Sequence, residues 1–205
     1  MEVVVTKIYE YSEKEIVYLK NADPVLGDEI DRIGKIERIV IPDLFMALVY
    51  AVIGQQISSK ASKTIWDRMQ EHFTDITPDI IVSASLEEIN QCGIPMSKAG
   101  YIKGIADKVV SGEFDLNSLH RLSDKEVIHK LSTLNGIGAW TAETLLLNSM
   151  ERPNILSYGD IAIRRGIMKL YSLTELKKEQ FMVYKNRYSP HASVASLYLW
   201  KLSHE

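Results

Sequence analysis

Two glycines one residue apart, Gly136 and Gly138, sit in the segment Leu134-Asn135-Gly136-Ile137-Gly138, between a capped helical stretch and a second helical one. The segment is long enough only for a tight turn, which makes a helix-hairpin-helix shape. Glycines let such a turn approach another surface closely and adopt positive φ without a Cβ penalty. The N–H groups that open the next helix point outward without intrahelical partners. With the positive end of the helix dipole, that arrangement suits a phosphate and needs no lysine. The plain alternative is that Gly136 ends the first helix and Gly138 is a spacer. A dinucleotide site is not expected, because the third glycine of G-x-G-x-x-G is missing, Thr141-Ala142 follows and no strand precedes the turn. Further on, Asp160 immediately precedes IAIRRGIMKLY, where a helix dipole favours a charged carboxylate. Its plain alternative is an N-cap, and the two roles are compatible. His72, His120, His129, His191 and His204 show no H-x-x-x-H or H-E-x-x-H spacing, so no catalytic zinc is suggested. The single cysteine, Cys92, excludes an internal disulfide and a four-cysteine metal site, and reads as a small buried filler.

The elements that must hold these residues are helical. Ser123 and Glu126 form a capping box ahead of Val127, Ile128 and Leu131, and a second helix runs from about Ala139 to Met150. Upstream, Asp43 caps a helix with Leu44, Ala47, Leu48 and Ala51 at helical spacing, ending near Gly54. Ser58 or Ser59 opens KASKTIWDRMQEHF; SLEEINQC and MSKAGYIKGIADKVVSG follow, the latter with Ala99, Ile102, Ile105, Ala106 and Val109 as an apolar stripe. IAIRRGIMKLY and SVASLYLWKL also read as helix, and strand-like alternation is confined to Val3–Tyr9. The expected class is all-α, with no flexible joint that would cut the chain into independent domains.

Composition sets the outer bounds. The 205 residues are 46% hydrophobic and 25% charged, which is ordinary for a globular chain and excludes disordered and fibrous classes. A chain of this size buries roughly 70% of the surface it exposes unfolded. The longest apolar runs, such as Leu44–Ile53, fall short of the roughly 20 residues that span a bilayer. The N-terminal residues, interrupted by Glu2, Lys7, Glu10 and Glu13, lack the pattern of a signal peptide. The expected location is therefore cytoplasmic, or nuclear in a eukaryote, with no membrane partner. A formal charge of −3 argues against a broad basic face for gripping a polyanion, though a local patch is compatible with it. Lys60, Lys63, Lys98 and Lys103 are the lysines in reach of a phosphate, and isolated helical lysines are more often simply solvated.

The run LNGIGAWTAETLLL followed by Asp160 in ILSYGDIAIRRG resembles the helix-hairpin-helix DNA glycosylase superfamily, and within it the 3-methyladenine DNA glycosylase II group. NADPVLGDEIDRIG, LFMALVYAVIGQQISSKAS, CGIPMSKAGYI and SPHASVASLYLW are similar to that group's blocks in the same order, over roughly residues 17 to 203. The resemblance implies a two-lobed helical fold with the active-site cleft between lobes. Residues 40–155 would form a central lobe and 1–39 with 156–205 the second, in a compact form without the N-terminal β-domain of longer members. It implies a monofunctional glycosylase, acting as a monomer on double-stranded DNA containing damaged bases.

Breaking an N-glycosidic bond leaves positive charge on the sugar, so such a site needs an ionised carboxylate near C1′ and a holder for the extruded base. By resemblance, Asp160 is the catalytic aspartate. Trp140 stands where bifunctional members carry a Schiff-base lysine, so strand cleavage is not expected; a tryptophan instead offers a face to a cationic alkylated base. Trp140 as a core residue sealing the hairpin is its alternative, and a C-terminal core anchor is the alternative for Trp200, the second pocket aromatic. Thr144 and Ile161 occupy positions where relatives have tyrosines, which implies a wider or less aromatic base pocket. Gln56 matches the wedge that fills the gap left by the flipped base, flanked by Gln55 and Ile57; the alternative is that the glutamines end a helix with side-chain hydrogen bonds. The N–H groups of Gly136, Gly138 and Thr141 would grip phosphate. Carbonyls of Ser132, Leu134 and Ile137 would hold a structural Na+ or K+, with no other cofactor required. Ala192 replaces the arginine of the group's Pro-x-Arg block, after Pro190-His191. The substrates implied are N-alkylated purines of the 3-methyladenine and 7-methylguanine type. The alternatives are a glycosylase for deaminated or oxidised bases and a non-catalytic DNA-binding module.

Overall fold

The computed structural model describes residues 6–205. Among them the chain is all-α apart from one antiparallel pair of two-residue strands, β1 (Lys7–Ile8) and β2 (Ile39–Val40), with Lys7 opposite Val40 and Ile8 opposite Ile39. Residues 3–5 of the strand-like stretch lie outside the described residues, and the partner strand β2 was not expected from sequence. No helix among the described residues is long and apolar enough to cross a membrane.

Contacts divide the chain into two compact units. The first is Ile41–Met150 together with the N-terminal stretch that ends at Thr6. Its centre is α3 (Leu44–Gly54), capped by Asp43 Oδ1 accepting from Met46 N at 2.7 Å. Nearly every residue of α3 is apolar, and Leu44, Phe45, Ala47, Leu48, Val49, Val52 and Ile53 are all buried, more faces than the expected stripe required. A helix apolar all round must be surrounded. The neighbours are α4 (Ser59–His72, capped by Ser58), α7 (Met96–Val110) and α9 (Ala139–Asn148). Two short helices, α5 (Pro78–Ser83) and α6 (Leu86–Gln91), lean on α7; α8 (Asp124–Leu131) pairs with α9 and carries the anticipated Ser123–Glu126 capping box. Cys92 is buried with its thiol pushed up by desolvation, as suits an inert filler.

The second unit is Lys7–Val40 with Glu151–Glu205. It holds α1 (Glu13–Ala22), α2 (Pro24–Ile33), α10 (Ile161–Leu170), α11 (Lys178–Tyr188) and α12 (Ala192–His204). Eight consecutive residues of α12, Ala192 to Leu199, are buried. The two serines in that run are satisfied by one loop: Ser193 Oγ accepts from Ile155 N at 2.9 Å and Ser196 Oγ donates to Ile155 O at 2.8 Å. Ala192, at the position of the family arginine, has no solvent exposure, so the site holds a methyl group.

One buried carboxylate in this unit was not singled out from sequence. Asp23, the N-cap of α2, receives hydrogen bonds from Leu26 N (3.3 Å), Arg187 (2.9 Å), Tyr188 (3.1 Å) and Tyr171. Burial by itself raises the carboxyl's pKa; the donors from Tyr171, Arg187, Leu26 and Tyr188 together outweigh it and hold the group below its ordinary value. The unfolded chain therefore takes up the proton first as the solution is acidified. The stabilisation is complete above the ordinary aspartate value of about 3.9 and drains away as pH falls through the lower folded-state value. Thermal melts are expected to show a fall in Tm below about pH 4 that Asp23→Asn flattens; a variant with the unaltered acid slope would remove Asp23 from that role.

Candidate active site

The hairpin between α8 and α9 is a succession of tight turns: Leu134 N donates to Leu131 O at 3.0 Å and Ile137 N to Leu134 O at 3.1 Å. Leu134 and Ile137 are buried and anchor it, while Ser132, Asn135 and Gly138 are exposed. Only one of the two glycines has the conformation expected for both. Gly136 has φ 83°, and a Cβ there would lie 2.4 Å from Cδ2 of Tyr101, on α7. Gly138 is extended, φ −93° and ψ 173°, and is the N-cap of α9; a Cβ there would meet nothing within 4 Å. So Gly136 is demanded by the fold, whereas Gly138 leaves open space in front of the first turn of α9, which has no side-chain cap. Gly136 is also not the C-terminal glycine of α8, which ends at Leu131 with Ser132 as its C-cap.

The segment after α3 meets the hairpin. Gln55 was expected to face DNA, but its Nε2 donates to Gly136 O at 2.8 Å and approaches Thr141 Oγ1 at 3.3 Å. Its amide thus ties the end of α3 to the hairpin, much as the helix-ending alternative had it. Thr141 is buried. Gln56 is exposed with φ 59°, an unusual state for a residue with a Cβ, and Ile57 beside it is exposed too. Lys98 likewise departs from the expectation of a phosphate contact. Its Nζ donates to Ile53 O at 2.8 Å and Gln55 O at 2.6 Å, neutralising the carbonyl end of α3, and desolvation lowers its pKa. Lys103 does the same for α5 through Val82 O and Ala84 O, and Lys63 pairs with Asp67; Lys60 remains on the exposed face. Trp140 is 40% exposed, which removes the alternative of a sealed core residue. Thr144, one turn on, returns its hydroxyl to Trp140 O at 2.9 Å.

The remaining predicted residues belong to the second unit. Asp160 is 7% exposed and is the N-cap of α10: its Oδ1 accepts from Ala162 N at 2.8 Å and Ile163 N at 3.0 Å. Its other oxygen, Oδ2, accepts from Trp200 Nε1 at 3.0 Å. Trp200, on α12, is half-buried and is tied to Asp160 by that bond. Ile161 is exposed. Sequence reasoning missed Arg38, whose guanidinium lies 4.9 Å from the Trp200 ring centre; nothing in the sequence signals a pairing between positions so far apart.

A monovalent cation at the hairpin can be tested against its donor set. Carbonyls of Ser132, Leu134 and Ile137 are hard oxygen donors, and Ser132 closes α8 at the negative end of its dipole. Among the described residues no group of His, Cys, Asp or Glu could hold a metal ion. Of the three carbonyls, that of Leu134 already accepts from Ile137 N at 3.1 Å.

A helical fold with this hairpin and a capped, buried aspartate after it defines a class. Residues 49–187 match the HhH-GPD superfamily of base excision DNA repair proteins, and the chain belongs to that superfamily: it is a DNA glycosylase by family. It is 32% identical over 161 residues to DNA-3-methyladenine glycosylase 1 of Schizosaccharomyces pombe, covering 76% of this chain and 71% of that relative. In fold it is similar to the DNA-3-methyladenine glycosidase of Bacillus halodurans, with TM-score 0.79, 30% identity and coverage of 97% of this chain and 92% of that one. A 3-methyladenine DNA glycosylase of S. pombe, solved in complex with abasic DNA, is similar at TM-score 0.83 and 28% identity, covering 92% of this chain and 95% of that one.

Proposed function

We propose that the protein excises N-alkylated purines, of the 3-methyladenine and 7-methylguanine type, from duplex DNA by hydrolysing the N-glycosidic bond, and that it does not cut the strand. The observation that carries this reading is the Asp160 carboxylate, nearly buried yet fixed through both oxygens by three donors. A preorganised carboxylate lowers the barrier where positive charge develops on the sugar, and it needs no reorganisation during reaction. Asp160 would stabilise the oxocarbenium-like sugar and orient the attacking water.

Alkylation already places positive charge on the base, so an electrostatic carboxylate with little acid catalysis suffices. Trp140, exposed at the opening of α9, offers an aromatic face that attracts such a cation. It carries no amine, so no imine forms with the sugar and the product is an abasic site. Neither half-buried Thr144 nor exposed Ile161 carries an aromatic ring, which suits a less selective hold on the base. Gln56, raised on a left-handed backbone with Ile57 beside it, would fill the gap in the duplex, and the N–H groups of Gly136, Gly138 and Thr141 would take phosphate. A Na+ or K+ held by carbonyls of Ser132, Leu134 and Ile137 would add charge for the same phosphate.

The test is release of free base from methylated duplex DNA, followed by heat or alkali. The expected result is release of 3-methyladenine or 7-methylguanine, with strand breaks only after that treatment. Strand cleavage without treatment would overturn the reading from Trp140. Release confined to hypoxanthine or oxidised purines would overturn the alkylpurine assignment.

A further inference from the structure

The small β-ribbon of the second unit has no evident reason to exist in a helical protein until the residue next to it is considered. Arg38 immediately precedes β2, and its carbonyl accepts from Tyr9 N at 2.7 Å, so the pairing of β1 with β2 continues through it. Its backbone is therefore fixed although its side chain is exposed. That side chain lies over the ring of Trp200, guanidinium carbon 4.9 Å from the ring centre. Trp200 in turn donates its only polar hydrogen to Asp160 Oδ2 at 3.0 Å. Cation, indole and carboxylate thus stand in series, all within one unit.

We propose that Arg38 is a positioning residue for the glycosylase reaction, acting on Asp160 through Trp200. The inference rests on the reading of Asp160 as the hydrolytic carboxylate. Two things follow from the stacking. A cation over an indole face restricts tilt of the ring, and a hydrogen bond from Nε1 is good only while the ring plane stays aimed at Oδ2. The cation also draws electron density toward itself and makes the N–H a stronger donor. With Oδ1 held by two backbone N–H groups, the orientation of Trp200 acts on the carboxylate's second oxygen. One face of Trp200 is covered by Arg38, so this tryptophan works mainly as a donor to Asp160 and not as a two-sided stacking platform for a base.

The test uses the full chain with Arg38→Ala, Arg38→Lys, Trp200→Phe and Asp160→Asn. The indole 1H–15N resonance of Trp200, assigned by its absence in Trp200→Phe, is expected to move in Asp160→Asn and in Arg38→Ala, and to return most of the way in Arg38→Lys. Single-turnover release of 7-methylguanine should slow about 10-fold in Arg38→Ala and about 10- to 100-fold in Trp200→Phe, with Arg38→Lys largely recovered. Affinity for duplex DNA containing an abasic site should stay within about twofold throughout, since the lost contacts are internal. An indole resonance unmoved by Arg38→Ala would overturn the inference. So would a rate loss matched by an equal loss of affinity, which would make Arg38 an ordinary DNA contact. If the wild type releases no alkylated base, the proposed function falls, while the resonance in Arg38→Ala still decides this inference.

Discussion

Asp160→Asn is expected to lower release of alkylated base by at least about 100-fold while leaving a folded protein. Asparagine ranks with aspartate at an N-cap, so its oxygen can keep the bonds from Ala162 N and Ile163 N. The amide nitrogen must then face Trp200 Nε1, a donor against a donor in a nearly buried site. Leaving that pair unsatisfied costs about 1–3 kcal/mol, and at about 2–4 °C per kcal/mol the melting temperature should drop measurably without collapse. Asp160→Ala is the poorer choice, because it removes the cap and the charge together. Single-turnover release and a thermal melt on the same preparation separate the two effects. A variant that melts lower yet releases base within about threefold of wild type would show that the residue serves α10 alone.

The second large effect concerns folding. Gly166→Ala should destabilise the second unit by about 3 kcal/mol and lower Tm by about 6–12 °C. A Cβ at 166 would stand 2.2 Å from the carbonyl oxygen of Leu199 and 2.8 Å from its carbonyl carbon. Those are backbone atoms, so no rotamer change relieves the clash; α10 and α12 have to part. The parting is felt at the site, because Leu199 adjoins Trp200 and α10 begins beside Asp160, so the 3.0 Å bond between them depends on the same spacing. Gly104→Ala is the control. A Cβ there meets nothing within 4 Å, and in mid-helix the change should add roughly 0.5–1 kcal/mol. Equal melting shifts for the two variants would contradict the packing argument.

Local signals carried far in this chain. Caps at Asp43, Ser58, Ser85 and Ser123 mark helix starts because a side-chain oxygen accepting from an N–H three residues ahead is fixed by nearest-neighbour chemistry. Four helices escaped the reading: α1 and α11 are polar with few buried residues, α5 is six residues long, and α2 starts at Pro24 under a cap that doubles as the end of α1. The hairpin was legible from its glycines, yet their division of labour was not, since only the ring of Tyr101 shows why 136 and not 138 must lack a Cβ. The partners of Lys98 and Gln55 were hidden for a similar reason. A lysine or glutamine near a loop looks solvated or ligand-facing until the carbonyls it caps are brought to it by the fold. Arg38 and Trp200 belong with these, since their contact is purely tertiary.

The second unit is made of two stretches of chain separated by Ile41–Met150 of the first. During synthesis α1 and α2 emerge before Ile41–Met150, but α12, which packs against them, is made only after it. Leu19, Leu26 and Ile30 therefore wait with their apolar surfaces uncovered while Ile41–Met150 of the first unit can already close on local contacts. Pairings of such long sequence separation form slowly, and exposed apolar surface in the interval invites association. Nascent chains stalled short of α12 should be protease-resistant from Ile41 to Met150 and sensitive on both sides, and their Lys7–Val40 segment should be a substrate for chaperones.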